Sequence, residues 1–221
     1  MANLPTLMYK IDLHTHSQAS PDGALSADDY RRMLASGKLD YIAVTDHNRI
    51  DFAVELQAQL GRQIIIGEEI TTMQGEIIGL YLARAVSAGL SLTEAVTAIH
   101  EQGGLVYIPH PFETVRKGIT TPDLSSIAAE VDIIETYNGR TLQNKANRAI
   151  TWAAKHKVPG AASSDAHGWI GWGKTYSVLL DAPTRENLLE QLAMATGSHG
   201  SVGIRGRLYP KLNRLRRRTH A

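Results

Sequence analysis

The sequence predicts an α/β fold closed into a barrel, and three observations carry that expectation. Short apolar runs rich in Ile, Val and Tyr alternate with amphipathic stretches along most of the chain. Several of these runs are apolar on both faces, as strands of a parallel sheet covered by helices are. At 221 residues the chain is long for one small domain and short for two, so one barrel or one open sheet accommodates it.

In chain order, strands are expected at 9–13, 41–45, 63–67, 76–82, 105–109, 131–136, 160–164 and 175–180. Helices are expected between most of them, at about 26–36, 50–60, 91–102, 122–129, 142–155 and 184–196. Ser26, followed by Asp28 and Asp29, reads as an N-cap with acids in the first turn, and Ser91 caps the third helix. No internal repeat or low-complexity linker interrupts the series. The first compositional break falls at Arg205, which divides the chain into a barrel domain (1–204) and a basic C-terminal tail (205–221).

Composition narrows the chemistry. The chain has no cysteine, which excludes disulfides and thiolate metal ligands, so any metal is held by His, Asp and Glu, an N/O environment suited to Mn, Fe or Zn. No basic-then-apolar leader and no 18-residue apolar run occurs, and the chain reads as cytoplasmic without a transmembrane segment. The net charge of +1 hides an asymmetry. Seven Lys/Arg and no acid lie in residues 201–221; removing those seven from +1 leaves residues 1–200 at −6.

In barrels of this kind the chemistry sits at the C-terminal ends of strands, and the ligand-type residues fall there. His14 and His16 close the first strand, where alternation turns residues i and i+2 the same way. Asp46-His47 closes the second, Glu68-Glu69 the third, His110 the fifth and Glu135 the sixth, and Asp165 and His167 follow the seventh. Five of the nine histidines occupy these points, which chance scatter of structural histidines does not explain. His100, His156, His199 and His220 fit no such pattern.

The ordered set His14-Thr15-His16, Thr45-Asp46-His47-Asn48, Gly67-Glu68-Glu69, His110-Pro111 and Ser164-Asp165-Ala166-His167 resembles the PHP family of metal-dependent phosphoesterases, over most of residues 9–180. That family includes histidinol phosphatases, nucleotide phosphatases, exonucleases and a domain of bacterial DNA polymerases. The resemblance implies a distorted (β/α)7 TIM-like barrel with two to three divalent ions (Mn, Fe or Zn) at the strand C-termini. It implies that His14, His16 and Asp165 hold a first ion, that Glu69 bridges to a second held by His110, and that His47, His167 and Asp22 hold a third. Asp22 stands one residue further from the paired histidines than the family's usual Ser-Asp-Gly, and it also suits a Pro-Asp-Gly turn. Glu135 stands where many relatives carry His or Cys and is expected to bind metal in place of imidazole. Glu76 stands where some nucleotide-cleaving relatives carry His. Alternation lets only one of the two glutamates face the site, so Glu68 is expected to point away.

The implied reaction is hydrolysis of a phosphomonoester, a small phosphorylated metabolite or a nucleotide, by attack of a metal-bridged hydroxide. His47 or His167 is the candidate acid for the leaving oxygen. Arg140 and Asn138 are the leading phosphate-binding candidates, because a guanidinium fork matches two phosphate oxygens; Arg116, Lys117 and Lys174 are weaker ones. Phe112, Trp169 and Trp172 follow presumed ligands and suit stacking on a ring. The basic tail suits nucleic acid, which keeps an exonuclease reading open. A metal-dependent amidohydrolase and a non-catalytic PHP binding module are the other readings. The sequence leaves the oligomeric state open.

Overall fold

A computed structural model describes residues 8–113, 116–141 and 143–218. The strands are β1 (Tyr9–Asp12), β2 (Tyr41–Val44), β3 (Ile64–Thr72), β4 (Gly75–Leu80), β5 (Leu105–Ile108), β6 (Ile133–Asn138), β7 (Gly160–Ser163), β8 (Thr175–Leu179) and β9 (Thr196–His199). The helices are α1 (Ala27–Ala35), α2 (Asp51–Leu60), α3 (Leu92–His100), α4 (Thr121–Ser126), α5 (Gln143–His156), α6 (Leu188–Met194) and α7 (Gly203–Arg218).

Period-two alternation sorts each strand between two sides of one sheet. Ala43, Ile65, Ile78, Leu105, Tyr107 and Ile133 join Ile11, Leu13, Leu80 and Leu179 in one buried interior. The alternate residues Ile77, Val106, Ile108 and Ile134 meet α3, α4 and α5 outside, whereas Ile42, Val44 and Ile64 meet α1 and α2. Each such side chain fully removed from water contributes about 1.5–3 kcal/mol, and both faces contribute. The helices α1 to α5 begin within one residue of the expected positions. Ser26 and Asp29 form a reciprocal capping box, as do Ser91 and Glu94, and Thr120 accepts from the Asp123 amide.

The sheet order is β7-β6-β5-β4-β3-β2-β1-β8-β9. β1, β2 and β3 run parallel, as do β5, β6 and β7. β4 is antiparallel to both neighbours, β8 is antiparallel to β1, and β9 to β8. The expected distorted barrel is thus mixed, with nine strands among the described residues, of which β4, β8 and β9 run antiparallel to their neighbours. Only Met73 and Gln74 separate β3 from β4, too few for a crossover, so the two form a hairpin. β3 therefore runs past the expected end at 67, and Glu68 and Glu69 lie within it. The expected helix at 184–196 shrinks to α6, and its last residue starts β9.

Past their last ladder residues, the chains leaving β1 and β7 come together. Thr15 bridges Ala166, the Asp165 amide donates to the His14 carbonyl, and the His16 amide donates to the Ala166 carbonyl, both at 2.9 Å. These bonds close the sheet into a nearly complete barrel at the end where the site lies. Residues 203–218, of which 205 onward were expected as a basic tail, form α7 against the barrel mouth. Asn213 Nδ2 donates to the carbonyls of Asp22 (2.8 Å) and His167 (3.1 Å), and Arg217 donates to the carbonyls of Gln18 and Gly23. Gly171 permits the docking: its φ is +86°, and a Cβ there would stand 2.5 Å from Val202 Cα. No helix among the described residues is long and apolar enough to cross a membrane.

Candidate metal centre

The closing bonds at Asp165, His14 and His16 fix the backbone from which the site is built. His14 Nε2 and His16 Nε2 stand 3.1 Å apart. Glu69 Oε2 is 3.5 Å from the first and 3.2 Å from the second, and Asp165 Oδ1 is 3.7 Å from both. Ligands held at about 2.0–2.2 Å from one tetrahedral ion are about 3.4 Å from one another, and these five distances lie close to that value. Two ring nitrogens this close, facing carboxylates, are a donor set that a divalent cation fits. The rings also pack on one another, with His16 stacked on His167 at 4.1 Å and on His47 at 4.8 Å between centroids.

Among the described residues, four overlapping groups offer converging donor atoms: His14, His16 and Glu69; His14, His110 and Asp165; Glu69, Glu76 and His110; and His16, Asp22, His47 and His167. His110 Nε2 meets Glu69 Oε1 at 2.9 Å, so the two oxygens of Glu69 face different groups, as a bridging carboxylate does. Asp22 Oδ2 is 3.6 Å from Nε2 of both His47 and His167. The loop that delivers Asp22 turns tightly at Gly23, where a Cβ would collide with the Ser17 carbonyl at 2.1 Å.

Glu76 joins the set although the sequence reading left it as a departure. It pairs with Thr71 across the β3–β4 hairpin, which puts it on the face of Glu69. Only knowledge that β4 runs antiparallel reveals this. Glu68 points the other way, as expected, and accepts from the Val86 amide at 2.7 Å.

Glu135 is placed differently from the expectation. It belongs to none of the converging groups, because its carboxylate is already occupied behind His14. Oε1 faces His14 Nδ1 at 3.2 Å and accepts from the Tyr107 hydroxyl at 2.9 Å; Oε2 accepts from the His110 amide at 2.6 Å and from Asn138 Nδ2 at 2.8 Å. A proton on His14 Nδ1 directed at Glu135 leaves the Nε2 lone pair for the centre. Asn138, expected to bind phosphate, is likewise spent internally, accepting from Arg116 and the Arg140 amide and donating to Glu135 and Asp165. Asp12 faces outward to the Ser164 amide and hydroxyl and the Trp172 indole, which links the first strand to the seventh.

Electrostatics follow from burial among opposite charges. Burial opposes ionisation of Asp165, yet Arg140, His14, His167 and Arg116 hold its carboxyl well below the usual carboxylate range. Burial likewise opposes Glu69, which His47, His14 and His110 hold well below it. His14 is raised well above the usual histidine range by Asp165, Glu69 and Glu135 despite its burial. His47 is also buried against its charge, but Glu69 and Asp22 lift it to about 9. His167 goes the other way, to about 3, through burial and then the neighbouring His16 and Arg140. Burial and the nearby Glu69 push Glu76 up to about 7.

A cavity of about 540 Å³ opens over the centre, lined by Asp22, His47, Glu69, Glu76, His110, Asp165 and His167 together with Arg116, Lys117, Arg140 and α7. Arg140 Nη1 lies 3.0 Å from Asp165 Oδ1 and 3.3 Å from His167 Nδ1, and its buried Nε has no partner among the described residues. Arg116, ranked low as a loop cation, donates to Asp165, Glu113, Asn138 and Thr141. The aromatic candidates do not line the cavity. Trp172 packs edge-on to Tyr30 in the core, Phe112 is buried beneath Arg148, and Trp169 is exposed beneath Arg32. Of the remaining histidines, His100 pairs with Asp132, His156 stacks on Trp152 and His199 on Tyr137. His220 lies outside the described residues.

A model of the PHP domain matches residues 12–156, and one described as PHP-associated matches residues 144–196. Two Methanocaldococcus jannaschii proteins, both named only as uncharacterized, are similar in sequence. One is 38% identical over 123 residues, 50% of this chain and 72% of the relative; the other is 32% identical over 171 residues, 72% of this chain and 65% of the relative. A two-domain Bacteroides vulgatus protein containing a predicted PHP-like metal-dependent phosphoesterase superposes with a TM-score of 0.71 at 19% identity, over 88% of this chain and 65% of that one. At a TM-score of 0.59 and 13% identity, 87% of this chain superposes on 58% of endonuclease Q, solved with a duplex bearing an abasic lesion. An amidohydrolase from Chromobacterium violaceum with bound sulfate gives 0.57 at 19%, over 71% and 87%.

Proposed function

The chain belongs to the PHP domain family, and from that premise we propose that it is a metal-dependent phosphatase acting on a small phosphomonoester, a phosphorylated metabolite or a nucleotide. The observation that carries this reading is the set of overlapping donor groups that share Glu69, His14 and His16 beneath a cavity walled by cations. His14, His16, Asp165 and Glu69 would hold one cation, Glu69 and His110 with Glu76 a second, and Asp22, His47 and His167 a third. Bound there, Mn, Fe or Zn ions supply Lewis acidity and neutralise charge on phosphoryl oxygens.

The protein's own groups do the rest. Glu135, locked by Tyr107, Asn138 and the His110 amide, holds the His14 ring in the tautomer that presents Nε2. Arg116 and Arg140 offset the Asp165 charge from the cavity wall, beside the position a phosphoryl group would take. Water attacks phosphorus, the ester P–O bond breaks, and the departing oxygen takes a proton. His47 is the group placed to give it: it lines the cavity, and its side chain is 15% exposed against 3% for His167. His167, with Nδ1 3.0 Å from the Asp165 carbonyl and its ring held neutral, acts as a donor ligand. When His47 gives the proton, the third position rests on Asp22 and His167.

The test is hydrolysis of p-nitrophenyl phosphate by metal-reconstituted protein, beside amide substrates and single-stranded DNA, with His16→Ala as control. Phosphatase activity that disappears with the metal in the folded variant supports the reading. Amide hydrolysis alone, or cleavage confined to DNA ends, refutes it, and full activity in His16→Ala removes the centre from the reaction.

A further inference from the structure

The cations lining the cavity divide into two sets. Arg116, Arg140 and Arg214 each reach a carboxylate of the centre, with Arg214 Nη2 2.5 Å from Asp22 Oδ2, and Lys117 lies 3.7 Å from Glu76. These four are committed to charge already present. Arg207 and Lys211 face the same cavity from α7 and have no carboxylate partner among the described residues. Arg207 Nε is buried with no hydrogen-bond partner among the described residues.

Their placement is built rather than incidental. Asn213 and Arg217 tie α7 to the loops that carry Asp22 and His167, so the helix face is fixed relative to the centre. Residues 207, 211 and 214 are spaced three and four apart, on one face of the helix. At a rise of about 1.5 Å per residue, Arg207 lies about 10 Å and Lys211 about 4.5 Å along the axis from Arg214, which marks the Asp22 end. α7 contains no acid to offset this row, and like charges four apart repel.

We propose that the substrate carries a second anionic group, and that Arg207 and Lys211 receive it while the centre holds the phosphoryl group to be removed. The proposal rests on the phosphomonoester reading and names its substrate class: a small ester with a second phosphate or carboxylate beyond the scissile phosphate. The cavity of about 540 Å³ exceeds one phosphate group and matches the size of small-ligand sites.

Calorimetric titration of the metal-loaded full chain with propane-1,3-diphosphonate and with propylphosphonate tests this without turnover, because C–P bonds are not hydrolysed. The diphosphonate is expected to bind at least about tenfold more tightly. The Arg207→Gln/Lys211→Gln double variant is expected to lose that preference while keeping its affinity for the monophosphonate. Lys211→Gln alone, at an exposed position, is expected to lose part of it and guards against misfolding of the double variant. Absence of binding, equal affinities in the unmodified protein, or a preference that survives in the double variant overturns the proposal. So does displacement of the diphosphonate by a lower concentration of a short single-stranded oligonucleotide, which would assign the row to a nucleic-acid end. Protein that binds the diphosphonate as expected but hydrolyses no phosphate ester would keep the subsite and refute the phosphatase reading, so the two fail separately.

Discussion

Glu135→Gln separates a residue that positions a ligand from one that is a ligand. The carboxylate accepts from the His110 amide and Asn138 Nδ2 on one oxygen, and from the Tyr107 hydroxyl on the other, which also faces His14 Nδ1. An amide cannot accept on both sides. If its oxygen keeps the His110 and Asn138 bonds, its NH₂ faces His14 and Tyr107. Tyr107 can turn its hydroxyl to Ser163, 2.9 Å away. His14 must instead move its proton from Nδ1 to Nε2, the atom that faces Glu69 and Asp165. Loss of a partner that orients a ligand typically lowers metal affinity about 10–100-fold, or about 1.4–2.7 kcal/mol. The alternative amide orientation leaves buried donors facing one another and costs about 1–3 kcal/mol of stability. Competitive titration against a colorimetric chelator, with metal counted by plasma emission, gives affinity and stoichiometry together. The expected result is weaker binding with the same number of ions at saturation. Loss of one whole equivalent, with the others unchanged, would make Glu135 a direct ligand and refute the positioning argument.

His47→Gln is expected to lower turnover of alkyl phosphates by about 10²–10⁴-fold and that of p-nitrophenyl phosphate much less, because p-nitrophenolate leaves without a proton; equal losses in steady-state assays would leave His47 only as a ligand. Glu68 is buried with one oxygen unpartnered, and burial raises its carboxyl from 4.5 to about 7. A folded-state value above the unfolded one gives stability that is full below 4.5 and lost as the pH rises through about 7, with a slope approaching 1.4 kcal/mol per pH unit between. Urea unfolding at about pH 5 and about pH 8 should therefore show a larger decline for the unmodified protein than for Glu68→Gln, and parallel declines would contradict it. Asn213→Ala removes two buried hydrogen bonds to the Asp22 and His167 carbonyls. It should cost about 1–3 kcal/mol and speed hydrogen exchange in α7 before the barrel strands; unchanged α7 protection would show that other contacts dock the helix.

The barrel and the convergence of its ligand-type residues were legible because both follow from local pattern. Short continuous apolar runs rich in Ile, Val and Tyr marked strands such as β2 and β5, and His14, His47, His110 and Asp165 stand just past strand ends. Strand direction was not legible, since an apolar run reads the same both ways along a chain. The β3–β4 hairpin, which puts Glu76 on the face of Glu69, was therefore not visible, and Glu76 was left outside the ligand set. The task of Glu135 was hidden for another reason: Tyr107 and the His110 amide, 28 and 25 residues away in sequence, occupy its oxygens. Gly203, Gly206 and Pro210 argue against a helix on propensity, and the charges of α7 read as a solvated tail. Its helical form rests on docking through Asn213 and Arg217, contacts about 190 residues distant.

The claim that this cluster holds divalent cations is tested most directly by anomalous diffraction from crystals grown with manganese, recorded on both sides of the Mn edge. The account predicts a peak about 2.0–2.3 Å from His14 Nε2, His16 Nε2, Glu69 Oε2 and Asp165 Oδ1, with a second between Glu69 Oε1 and His110. A map without peaks there, or with manganese only at surface carboxylates, would contradict it.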